Sequence, residues 1–197
     1  REGEFLLCAG TVVTVSGPML GLLPPLDCLE FQLVSEIAEM VRVPRKELDF
    51  SRGLVLEGEA FTAEGGGTVK RSRDHQNTHD GGCIFAWADL GHWIRWDVEV
   101  PETGTYTLTF VAATGEEQAI RSLTIDDTPV LGAALVTFTQ TGGWGRSNPE
   151  EWQAFRPITA AGHPIVTELT KGKHSLSMAN LLGQHLNIDV ILLTLQP

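Results

Sequence analysis

Gly183-Gln-His-Leu-Asn-Ile-Asp-Val-Ile-Leu-Leu193 is the stretch whose reading decides the fold. A glycine loop leads into an apolar, partly β-branched run, which predicts a final β-strand. Asn187 and Asp189 stand two residues apart in it. Alternation sends such residues to one face of a strand. An amide and a carboxylate beside Val190, Ile191, Leu192 and Leu193 are costly unless a metal ion, a polar ligand or a hydrogen-bond network satisfies them. At the other end of the same region, Leu54-Val-Leu-Glu-Gly-Glu-Ala-Phe61 reads as a first strand with Glu57 and Glu59 on one face. Glu57, Glu59 and Asp189 together predict a hard-cation site where first and last strands meet.

Between these ends the hydrophobic period is two. Ile94-Arg-Trp-Asp-Val-Glu-Val100 alternates strictly and puts Trp96 in the core. Tyr106–Phe110, Ser122–Ile125, Leu135–Phe138, Ile165–Leu169 and His174–Met178 read as further strands, with turn residues between them. The fold class expected is all-β, a β-sandwich jelly roll over residues 53–197.

Residues 1–52 form a separate N-terminal segment. Phe5–Ser16 is a short apolar run. Asp27 and Glu30 make a capping box, and Leu29, Leu33, Val34, Ile37, Met40 and Val41 then fall at helical spacing, predicting a helix from about Asp27 to Arg42. Such a strand-plus-helix appendage cannot bury its own apolar stripe. It is expected to pack on the sandwich, on another subunit or on the rest of a multimodular enzyme.

The net charge of −11 argues against nucleic acid, whose phosphates call for basic patches. No apolar run approaches the length of a membrane span. The start, with two acids in its first four residues, does not read as a signal peptide. Cys8, Cys28 and Cys83 fit no zinc spacing and read as buried thiols, with a Cys8–Cys28 disulfide as the weaker alternative. His75 and His79 lie in a loop rich in Lys70, Arg71 and Arg73, read as polar surface rather than as a metal site.

Leu56-Glu-Gly-Glu-Ala60, Gly91-His-Trp-Ile-Arg-Trp-Asp-Val-Glu-Val-Pro101, Gly104-Thr-Tyr-Thr-Leu108, Arg121-Ser-Leu-Thr-Ile125, Thr141-Gly-Gly-Trp144, Lys171-Gly-Lys-His-Ser-Leu176 and Leu186-Asn-Ile-Asp-Val190 occur in this order. Together they resemble the carbohydrate-binding modules of families 6 and 35 over about residues 54–195. Residues 1–50 lie outside the resemblance. It implies a jelly roll with a structural calcium ion (Ca2+), for which Glu57, Glu59 and Asp189 match the family's acids. It implies a glycan or polysaccharide as partner, bound in a loop-lined cleft. Trp144 matches the tryptophan of the family's Thr-Gly-Gly-Trp loop, Asn187 its sugar-binding asparagine, and Trp87 lies near a second cleft aromatic. The segment 145–157 is longer than the pattern, and would either wall the cleft, giving Trp152 or Arg146 a ligand role, or block it.

The function expected is therefore a non-catalytic, secreted carbohydrate-binding module supporting a polysaccharide-active protein. No nucleophile elbow, phosphate loop or zinc-helix motif occurs in the sequence. The alternative is a structural jelly-roll part of a larger enzyme or assembly, without sugar binding. Exposure of Trp144 beside Asn187 discriminates the two.

Overall fold

The alternating segments form strands. In the computed structural model, which describes residues 37–197, fourteen strands follow one another: β1 (Ile37–Val43), β2 (Gly53–Glu57), β3 (Ala63–Gly65), β4 (Lys70–Ser72), β5 (Cys83–Trp87), β6 (Trp93–Val100), β7 (Gly104–Ala113), β8 (Gln118–Ile125), β9 (Thr128–Pro129), β10 (Leu135–Thr139), β11 (Gln153–Ile158), β12 (Val166–Leu169), β13 (Gly172–Asn180) and β14 (Leu186–Leu195). The described residues form a curled β-sandwich. One layer runs β3-β6-β13-β8-β10, and the other β11-β7-β14-β5-β4. The expected meeting of first and last family-type strands is present: β2 lies antiparallel to β14, with Val190 opposite Glu57 and Leu193 opposite Leu54.

Inward-facing residues of both layers fill the core. Ile94, Trp96, Phe110, Phe138, Phe155, Leu176, Ile191 and Leu193 are buried in one cluster. Phe138 packs edge-to-face on Phe110 and Phe155, with ring centroids 5.7 and 5.4 Å apart. Trp96 is in the core as expected, and its indole N–H donates to the Glu57 and Gly58 carbonyls. A second, smaller cluster on the outer face of the β7–β14 layer contains Cys83, Val111, Trp152 and Val190, and Val43, Leu48, Phe50 and Val55 pack over it.

Two expectations are corrected. The helix foreseen to Arg42 is a strand over its described part, Ile37–Val43. Ile37 and Ala38 pair in parallel with β10, and Glu39–Val43 then pair antiparallel with β11, so β1 joins the two layers. A short apolar run fits both periods. Here Ala38 and Met40 reach the core while Ile37 and Val41 face outward, and strand partners on both sides settle the choice. This part of the N-terminal segment is thus built into the sandwich. The rest of the expected helix, the Phe5–Ser16 run, Cys8 and Cys28 lie outside the described residues. Secondly, the first strand stops at Glu57, and Gly58–Ala60 make a 3-10 turn that carries Glu59. Gly58 lies against the backbone carbonyls of Ile188 and Asp189, where a side chain would clash.

Candidate functional site

The polar pair of the last strand does not share one environment. Ile188 is opposite Ala112 and Val190 opposite Val111, so β14 carries one extra residue there, Asp189. The bulge breaks the alternation expected of Asn187 and Asp189 and sends their side chains to two different places.

Asp189 is fully buried. Its Oδ1 accepts the His79 backbone N–H at 2.8 Å, and its Oδ2 accepts Nη2 of Arg45 at 3.0 Å. Burial pushes its carboxyl up to about 8; Arg45 and the His79 N–H pull it down, while Glu57 and Glu59 add to the rise. Glu57 is raised as well, chiefly by burial, against a hydrogen bond from His79, whose Nδ1 lies 2.6 Å from Glu57 Oε1. Glu59 packs its carboxylate over Gly82. The three predicted acids are therefore brought together, with Arg45 and His79 among them. The Cys83 thiol beside them is buried and pushed up to about 12, by burial first and then by Asp189 and Glu59.

Among the described residues no three His, Cys, Asp or Glu side chains stand in a ready metal-holding arrangement. Both oxygens of Asp189 are engaged by protein. However, Glu57 Oε2 and Glu59 Oε2 are buried with no hydrogen-bond partner among the described residues. Two hard oxygens left open beside a buried carboxylate form a donor set that suits a hard divalent cation.

Asn187 serves the other place. It is buried, its Nδ2 donates to the Trp144 carbonyl at 2.8 Å, and its Oδ1 accepts the Ala86 N–H at 3.3 Å. Ala86 sits at φ 60°, uncommon for a residue with a side chain. Trp144 rides a loop whose turns need glycine: Gly142 has φ 101° and Gly145 φ 69°. The loop is pinned from below. Thr141 Oγ1 donates to the Gly143 carbonyl, Gly145 N–H donates to Glu151 Oε2, and Trp152 Nε1 donates to the Gly145 carbonyl at 2.9 Å. The Trp144 indole lies over Gly115, where an added Cβ would be 2.9 Å from the ring. It remains 38% exposed. His185 meets it edge-to-face, with centroids 5.6 Å apart, and His185 Nδ1 is 3.9 Å from Glu116 Oε1.

Trp87 and Trp152, expected as ligand-facing aromatics, are corrected by their burial. Trp87 is fully buried and donates its indole N–H to the His92 carbonyl. The Arg121 guanidinium lies 4.4 Å from its ring centroid. Trp152 is the anchor under the Trp144 loop rather than a wall of a cleft. Arg121 is itself fully buried, with no carboxylate partner among the described residues, and burial pulls it down to about 9. It donates to the Trp87 and Gln184 carbonyls and to Asn180 Oδ1, and so braces the loop that presents His185. The loop with His75 and His79 is less solvated than foreseen. His75 is buried near Phe85 and Trp152, and His79 faces the acids.

Sequence reasoning missed Arg45, His79, His185 and Glu116. His185 lay within the decisive stretch, on the glycine loop before the last strand. Arg45 gave no signal, because its partner Asp189 is 144 residues away.

The described residues have the fold of the family 6 and family 35 carbohydrate-binding modules. The native family 35 module from Clostridium thermocellum is 17% identical, with TM-score 0.57, over 73% of this chain and 98% of that one. The family 35 module from Cellvibrio japonicus is 21% identical, with TM-score 0.52, over 72% and 92%. A Paenibacillus sp. cycloisomaltooligosaccharide glucanotransferase is 23% identical, with TM-score 0.56, over 73% of this chain, which spans only 18% of that chain's length. At these identities the likeness is one of fold. No protein-family model matches the sequence, and no curated protein does.

Proposed function

We propose that this chain is a non-catalytic carbohydrate-binding module that holds a neutral glycan against Trp144. The observation that carries the reading is the exposed indole on a loop fastened at four backbone groups, those of Gly143, Trp144 and, at both its N–H and its carbonyl, Gly145. A flat apolar ring held rigid at a surface loses little freedom on binding and stacks on the apolar face of a pyranose. Asn187 fixes the ring by holding the Trp144 carbonyl. His185 and Glu116, at its edge, are placed to bond sugar hydroxyls. The formal charge of −11 disfavours polyanionic ligands. Glycan binding by the solved modules of this fold supports the reading.

The same proposal places the protein outside the cell, as part of a polysaccharide-active protein. It also gives the Glu57, Glu59 and Asp189 cluster one structural Ca2+. The ion would supply charge neutralisation at the junction of β2 and β14, apart from the Trp144 loop. The open oxygens of Glu57 and Glu59 support this assignment.

A second reading is a structural jelly-roll part of a larger enzyme or assembly. Burial of Trp87 and Trp152, the engagement of Asn187 by protein, and the insertion of β1 between β10 and β11 favour it. Titration calorimetry against xylan, β-glucan, galactan and uronate oligosaccharides separates the two. Saturable heat with a neutral oligosaccharide is expected for the module, and silence with every one of them for the structural part.

A further inference from the structure

The acid cluster already contains a cation, and it comes from outside the stretch that resembles the family. Arg45 lies in the 3-10 turn Arg45–Glu47, just after β1. Its side chain reaches over β14 in two bonds: Nη1 donates to the Asn77 carbonyl at 2.6 Å and Nη2 to Asp189 Oδ2 at 3.0 Å. The planar fork makes both contacts at once. The turn is held there independently, since Leu48 and Phe50 pack on the outer cluster and Phe50 stacks on His79, 4.3 Å between centroids. Arg45 is thus tethered above Asp189, while Glu57 Oε2 and Glu59 Oε2 remain without partners among the described residues.

We propose that Arg45 is the chain's own counter-cation for the Glu57–Glu59–Asp189 cluster, competing with a divalent ion for Asp189 and setting how tightly that ion is held. The inference rests on the calcium reading above. With no ion, Arg45 holds Asp189 Oδ2 by its hydrogen bond and the fold stands. With an ion at Glu57 and Glu59, the guanidinium is a like charge beside it and occupies an oxygen the ion would otherwise take. Affinity of calcium sites is tuned by the count of ligand charges, and a tethered positive charge subtracts from that count. The consequence is a weak site in a fold that tolerates chelation.

The test uses the whole chain, with Ca2+ alone as probe, and compares wild type, Arg45→Met and Arg45→Lys by calorimetry and by melting with and without chelator. Methionine keeps the apolar stem and removes the charge; lysine keeps the charge and loses the fork. Arg45→Met is expected to bind Ca2+ at least about tenfold tighter, or about 1.4 kcal/mol, and to show the larger drop in melting temperature on chelation. Arg45→Lys is expected to stay near wild type. Ca2+ binding by Arg45→Met but not by wild type also supports competition, while removing the ion from the wild-type protein. Wild type that binds Ca2+ with Arg45→Met unchanged or weaker overturns the inference and leaves the calcium site standing. Absence of Ca2+ binding in all three overturns both. Arg45→Met that folds at no Ca2+ concentration also overturns it, because the guanidinium is then required whatever the ion does.

Discussion

Trp144 and Trp152 are eight positions apart on one loop and have opposite fates. Trp152 is buried with its indole N–H bound to the Gly145 carbonyl; Trp144 is 38% exposed over a glycine floor. The buried ring holds the backbone, and the backbone holds the exposed ring. The exposed aromatic is distinguished here by support rather than by residue type: an apolar anchor beneath, an amide on its carbonyl, and glycines that let the chain turn under it.

The comparison can be broken at several points. Trp152→Ala is expected to cost about 3–5 kcal/mol in denaturant unfolding, as for other buried aromatics. A loss below about 1 kcal/mol would remove its anchoring role. Chelation comes next. At a hundredfold excess over Kd, the proposed Ca2+ would add about 2.7 kcal/mol. Removing it should therefore lower the melting temperature by roughly 5–10 °C in a domain of this size, without abolishing the fold. An unchanged melting curve counts against the ion.

Asn187→Ala should cost about 0.5–1.5 kcal/mol of stability, the net worth of a hydrogen bond, and should weaken glycan binding by loosening the Trp144 carbonyl. Stability lost with affinity intact would detach Asn187 from the site.

The smallest effect belongs to the opposite end of the sandwich, at His174 and Asp126. His174 Nδ1 lies 2.6 Å from Asp126 Oδ2, and His174 is raised above its usual value by that bond. Asp126 falls below its own usual value: the Ser175 N–H and His174 outweigh the upward push of burial. The histidine's contribution is full below its unfolded pKa and is lost as pH rises through the folded one. The aspartate's is full above its unfolded pKa and is lost as pH falls through the folded one. Asp126→Asn should cost about 0.2–1 kcal/mol near pH 5–6, since Asp126 is half exposed and water screens the pair, and less at alkaline pH, above the histidine's raised value. Equal cost at both pH values would refute the pairing.

Much of this was legible in the chain. The period of two from Ile94 to Val100 placed Trp96 in the core, and the acids at Glu57 and Asp189 foretold that first and last strands are neighbours. What escaped depended on partners distant in sequence. Ile37–Val43 reads equally as helix or strand until β10 and β11 flank it. The Asp189 bulge comes from the pairing with β7, which strand periodicity alone does not report. Trp87 and Trp152 carry no local mark of burial; a backbone acceptor brought in by folding decides it. Trp144 was readable because its glycines are adjacent, and a glycine-flanked aromatic on a loop has little beside it to bury it.

The central claim is that Trp144 is the ring on which a neutral glycan stacks. The direct measurement is calorimetric titration of wild type and Trp144→Ala with the oligosaccharide giving the strongest heat, both proteins first shown to melt alike. Stacking on an aromatic is worth about 1–3 kcal/mol in the nucleic-acid case, and 1.4 kcal/mol is about a factor of ten. Trp144→Ala is expected to lose about 10- to 100-fold in affinity at unchanged stability. Wild-type affinity in Trp144→Ala, or no heat with any neutral oligosaccharide, would contradict the account.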